Sequence, residues 1–205
     1  MVVGLIVLAA SVANPTYDPA IDGVLRPRAG ASVAFGVQRL QDEFGLVLSL
    51  VTPHVFDERI ALRIEGGVGW YPDFRALPDD ADDQEFAAWS LYGHVRALLQ
   101  ASTRFALASG RIYAAVGPSF LVLDEQVSST RVAPGVFGVV GAELFAGDDY
   151  RAYPLSFFLE IGGAAHDASA DVQNRVGRPQ TTGTTIDRPI GTGLALAGGL
   201  RLYVW

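Results

Sequence analysis

His166, Asp167, Ser169 and Asp171 stand close together in the chain. A histidine, an acid and a serine are the parts from which a hydrolytic site is made. Neighbouring residues of a strand point to opposite faces, however, so His166 and Asp167 cannot both aim at one serine without a loop distortion. No Gly-x-Ser-x-Gly elbow occurs anywhere to present a nucleophile. The expectation is therefore of no catalytic residue and no enzyme, with a hydrolase near His166 kept as the lesser alternative. His54 and His94 each lack a second histidine or acid at ligand spacing, so no metal site is expected and no cofactor is implied. The absence of cysteine excludes disulfides, thiolate nucleophiles and cysteine-ligated zinc.

A larger set of polar residues is scattered along the chain with a common phase: Arg59, Arg63, Glu65, Tyr92, His94, Arg96, Arg111, Tyr113, Glu143, Glu160 and Arg201. Each lies in a stretch of alternating polarity. Ile60, Leu62, Ile64, Val68 and Trp70 oppose Arg59, Arg63, Glu65 and Tyr71; Leu155, Phe157, Leu159 and Ile161 oppose Ser156, Glu160 and His166. Period-two alternation is the mark of a strand with one apolar and one polar or small face. Such stretches fall near 28–38, 44–53, 58–71, 86–99, 110–123, 133–146, 153–166 and 190–204, separated by turn-rich breaks.

Composition narrows the class. Half of the 205 residues are hydrophobic and 18% are charged, which fits neither a disordered chain nor a helical membrane bundle. The net charge of −7 argues against nucleic acid as a partner. The longest apolar run, Met1 to Ala13, is too short to cross a bilayer as a helix. It reads as the core of a secretory signal with small residues at Ser11-Val12-Ala13, followed by a linker over 14–27. The expected fold is all-β, one eight-stranded antiparallel up-and-down transmembrane barrel over 28–205. Most of the stretches reach the roughly 9–11 residues that a tilted crossing needs.

Alternation alone does not say which face meets the solvent. A soluble barrel with a ligand cavity turns its apolar face inward; a membrane barrel turns it to lipid and keeps Arg and Glu inside. Loop lengths favour the second: the connections at 72–85, 124–132 and 167–189 are longer on average than those at 54–57, 100–109 and 147–152, with the short first connection at 39–43 and the 100–109 turn as exceptions. Aromatics fall at strand ends, where interfacial girdles lie, and Trp70, Tyr71, Trp89, Tyr153, Tyr203 and Trp205 are assigned to that role. The polar set is assigned to the lumen, which in so narrow a barrel is filled by side chains. Paired charges there fix the barrel's shape; a selective path is the alternative.

The final stretch, GLALAGGLRLYVW, is similar to the terminal assembly signal of bacterial outer-membrane proteins. From about 28 to 205 the layout resembles the eight-stranded barrels of the OmpA-transmembrane and OmpX-like group. That resemblance implies a Gram-negative outer membrane, passage through the periplasm, insertion by the barrel-assembly machinery, and contact with the bilayer and lipopolysaccharide. One departure stands out. Tyr203 and Trp205 share a phase with Arg201, whereas the group's terminal aromatics point to lipid. A bulge near Gly198-Gly199 would repair the register. The acidic stretch Pro78 to Glu85 is expected to be a solvated loop, and the polar loop Asp167 to Arg188 a mobile one suited to meeting a surface ligand. The function expected is a structural or surface-interaction role through the outer loops; a narrow pore is the alternative.

Overall fold

The computed structural model describes residues 31–56, 59–75, 87–103, 110–123, 130–146, 154–171 and 187–204. The signal-like segment, the linker, Tyr153, Trp205 and the acidic stretch lie outside the described residues. Among the described residues ten strands follow one another: β1 (Ala31–Leu40), β2 (Glu43–Val51), β3 (Ile60–Arg75), β4 (Ala87–Ser102), β5 (Gly110–Val122), β6 (Val132–Phe145), β7 (Leu155–His166), β8 (Ser169–Asp171), β9 (Asp187–Pro189) and β10 (Gly193–Val204). Eight of them close into an antiparallel up-and-down barrel in the order β1-β10-β7-β6-β5-β4-β3-β2; β8 and β9 pair apart from it.

Closure leaves no free edge, so the wall's backbone groups pair within the wall. The stagger is steep. Ser32 pairs with Val51, Val51 with Arg63, and Arg63 with Leu98. Further round, Phe137 pairs with Ala164 and Ala164 with Gly193, which lies beyond the far end of β1, where Leu40 meets Ala195. One circuit of the ladder thus climbs the whole length of β1, as tilted strands require.

The strand bounds depart from the expected ones for local reasons. β1 runs on to Leu40 because the first connection is only Gln41-Asp42, with Gln41 in the left-handed region at φ 52°. β3 and β4 overshoot the wall together, pairing up to Arg75 and Ala87 past a register shift between Tyr71 and Phe74. The loop after β7 is not wholly irregular. The β8–β9 ladder joins its two ends, with Ser169 opposite Pro189 and Asp171 opposite Asp187.

Inside, glycine makes room for rings. Tyr92 lies opposite Gly69, His94 opposite Gly67, Tyr113 opposite Gly141, His166 opposite Gly135 and Phe158 opposite Gly199. A Cβ at Gly141 would sit 2.6 Å from Tyr113 Cζ and 2.9 Å from Glu160 Cγ, so the ring lies flat against the wall only because no side chain is there. Gly93, by contrast, faces outward, and a Cβ there meets nothing closer than 3.7 Å. Gly141→Ala is expected to lower stability by about 1–3 kcal/mol, as overpacking does. Gly93→Ala should change little. Urea unfolding midpoints of the refolded variants check the contrast, and equal midpoints would remove the ring-over-glycine account.

Candidate functional site: the barrel lumen

The inward face of the wall is where the polar residues gather. Among the described residues the buried charges are four arginines, Arg63, Arg96, Arg111 and Arg201, and four glutamates, Glu43, Glu65, Glu143 and Glu160. The formal charge of that set is zero, as a space with little water demands.

Seven of them, all but Glu43, form two ion-pair clusters. In the first, Glu143 accepts from Arg111 Nε at 2.7 Å, Arg201 Nη1 at 2.7 Å, Ser156 Oγ at 2.5 Å and the Tyr203 hydroxyl. Arg111 extends the cluster, donating from Nη2 to Tyr203 at 2.7 Å and from Nη1 to His54 Nε2 at 3.1 Å. In the second, Arg63 forks onto Glu160 and donates to Glu65 at 2.6 Å, and Tyr113 donates to Glu160 at 2.6 Å. Arg96 donates to Glu65 at 2.5 Å and to Gln38 at 2.6 Å, with its guanidinium 3.7 Å from the Phe137 ring centre. Forked and charge-assisted bonds of this kind hold several elements in one geometry. Glu143 ties β6 to β5, β7 and β10; Glu160 and Glu65 tie β7 to β3, β4 and β5.

Apolar side chains are buried on the inward face as well. Leu40, Leu98, Ala115, Phe137, Val139 and Ala195 form one cluster inside the wall. A second, with Tyr92, Leu121, Leu123, Ala133, Ala168 and Ile190, brings in both arms of the β7–β10 connection. The described ends of that connection turn in at the mouth. Glu43 accepts from the Tyr92 hydroxyl at 2.5 Å and from the Gly191 backbone N–H at 3.0 Å. His166 donates from Nδ1 to the Gly191 carbonyl at 2.6 Å, which leaves Nε2 to accept from Ser119 at 2.8 Å.

The hydrolytic constellation considered from the sequence is not assembled. Both ring nitrogens of His166 are engaged by Gly191 and Ser119, and Ser119 is fully buried. Asp167 is exposed, on the opposite phase of the chain; Ser169 and Asp171 belong to β8. The Ser119–His166 pair fastens the closing loop, and a backbone carbonyl stands where a triad would need an acid.

Two other placements correct the sequence reading. Tyr203 is not an interface aromatic. β1 and β10 pair without a bulge from Ala31–Val204 to Leu40–Ala195, so Tyr203 keeps the phase of Arg201 and lies buried against Glu143 and Arg111. His94 is buried in the lumen, yet it makes no hydrogen bond with the described residues and packs beside Tyr92 instead of joining an ion-pair cluster. Arg59 sits half-buried at the rim. Trp70 lies on the outer face, half-exposed, 4.9 Å from Phe44 between ring centres; Tyr71 and Trp89 lie in the β3–β4 hairpin.

Gln38, Glu43, His54, Ser119, Ser156 and Tyr203 were not foreseen as members. A signal existed for some. Gln38 is in phase with Ala34 and Gly36 on the small face of β1, and Ser156 shares the phase of Glu160. None existed for His54, which lies past the end of β2 and reaches Arg111 only through the closure of the barrel.

Neither a family model nor a curated protein matches the sequence.

Glu143→Gln leaves Arg111 and Arg201 without their common carboxylate. Breaking a buried pair in this way costs about 3–5 kcal/mol, expected as a lower urea midpoint; an unchanged midpoint would mean the cluster contributes nothing. His54, held by burial and by Arg111 and Arg201 at about 3 against an ordinary 6.5, stays neutral in the folded protein. The unfolded chain takes up its proton near pH 6.5, so this contribution is complete above that pH and is lost as the pH falls toward 3, by about 1.4 kcal/mol per unit. His54→Gln is expected to flatten the fall in unfolding midpoint between pH 7.5 and 5; parallel curves would remove the assignment.

Proposed function

We propose that this chain is a non-enzymatic outer-membrane β-barrel of the OmpA-transmembrane or OmpX-like kind, with a plugged lumen and a structural or surface-interaction role carried by its longer loops. The observation that carries the reading is the polarity of the wall. Leu48, Leu91, Leu159, Ile161 and Leu194 are each more than half exposed on the outer face, while Arg63, Arg96 and Arg201 are fully buried within. A barrel in water has the opposite arrangement, since continuous apolar surface of that extent drives association. Lipid matches it, because a closed barrel satisfies its own backbone and offers hydrocarbon outside. A soluble ligand-binding barrel needs the apolar faces turned inward, and here they are turned outward.

The connections support the same reading. The 76–86, 123–131 and 167–192 segments leave from one rim, together with the Gln41-Asp42 turn; those at 52–59, 103–109 and 146–154 leave from the other. With the first rim outside the cell, the largest connection is the one that meets partners, on a base formed by the β8–β9 ladder. The charge-balanced, side-chain-filled lumen favours a plug over a pore. Lipopolysaccharide and the assembly machinery follow as partners from the resemblance.

Two measurements test this. Folded protein extracted from the outer-membrane fraction should migrate on SDS gels at a different position unless boiled. A soluble, unshifted protein would overturn the membrane reading. In planar bilayers the wild type should show no steady ion conductance, and regular conductance steps would replace the plug by the pore.

A further inference from the structure

Among the described side chains of the eight wall strands, every exposed one is apolar except Arg39, near the loop-side end of β1. A charge on the lipid-facing surface is tolerated where the guanidinium reaches the headgroups and is disfavoured deeper. Arg39 is placed for that. Its Nε donates to the Gln41 carbonyl at 2.9 Å, which draws the guanidinium toward the turn, and its two Nη groups make no bond with the described residues. The register sets aromatic neighbours beside it. Arg39 lies opposite Phe44 and Phe44 opposite Trp70, all on the outer face, with Val37, Leu46 and Val68 the next outward residues toward the middle of the wall. The row therefore runs from a cation with two unused donors, across an apolar ring, to an amphipathic indole suited to the headgroup level.

Resting on the outer-membrane reading, we propose that the row Arg39–Phe44–Trp70 is a binding site for the phosphate-bearing headgroup of an anionic lipid. The paired Nη groups of a planar guanidinium match two oxygens of a phosphate, which a diffuse surface potential does not. The acyl chains then lie along Val37, Leu46 and Val68, and the ring of Phe44 separates the charge from the hydrocarbon. A neutral or zwitterionic headgroup gains less, because only a net anion balances the guanidinium charge.

The test uses Trp70 as reporter. The chain has three tryptophans, and Trp89→Phe with Trp205→Phe leaves Trp70 alone. The protein is refolded into bilayers containing phosphatidylcholine or phosphatidylglycerol with brominated acyl chains, and its folding is checked by the gel shift. Quenching in mixtures yields the relative affinity of the two lipids at Trp70. The expected result is a preference for phosphatidylglycerol of roughly fivefold, the factor one basic side chain contributes at an anionic surface, falling to about one in Arg39→Gln. Equal affinities in the parent, or a preference that survives Arg39→Gln, would overturn the site while leaving the membrane reading in place. Absence of quenching by either lipid would overturn the membrane reading and the site with it. Loss of the preference on adding inorganic phosphate at matched ionic strength would mean that the guanidinium takes a free anion, and would overturn the lipid assignment.

Discussion

A wall of eight strands encloses room for side chains and little else. Any charge turned inward must find its partner there, because removing one member of a buried pair leaves the other uncompensated at several kcal/mol. Much of the interior follows from that constraint. Four arginines and four glutamates balance, and the glutamates accept most of the donors that point at them. Since the partners come from strands far apart in sequence, as with Arg63 and Glu160, each pair also fixes the circumference of the wall. The same bonds that satisfy the charges therefore hold the barrel in shape.

Rings and glycines solve the remaining problem of volume. Tyr113 serves both needs, lying flat over Gly141 and donating its hydroxyl to Glu160. Tyr92 does the same over Gly69 and reaches Glu43. Near the mouth the chain itself turns inward, with Ile190 buried and Gly191 held by Glu43 and His166. Of the residues that first suggest hydrolysis, His166 is engaged there through both ring nitrogens, by Gly191 and Ser119.

The outer surface obeys the complementary rule. With the backbone satisfied by closure and the charges satisfied inside, the wall can present hydrocarbon almost without interruption. Against that background Arg39, at the edge of the apolar band, is conspicuous among the described outward side chains, and its aromatic neighbours share its level through the register of β1, β2 and β3.

Alternation was enough to assign all-β class, eight wall strands and the inward set Arg63, Glu65, Arg96, Arg111, Glu143, Glu160 and Arg201. Period two places every second side chain on one face whatever the strand is paired with. The phase of Tyr203 was legible too: it shares a face with Arg201, and only the expected habit of terminal aromatics pointed the other way. Sequence could not say which charge meets which. Arg63 reaches Glu160, and not a nearer glutamate alone, because barrel closure and strand stagger bring β3 and β7 across from one another. It could not place His54, whose reach to Arg111 depends on the path of the chain after β2, nor Ser119, which meets His166 only when the described ends of the last long connection turn in at the mouth. Local periodicity decides which face a residue joins; the partner it finds there is decided by pairing across the closed wall, where residues far apart in the chain become neighbours.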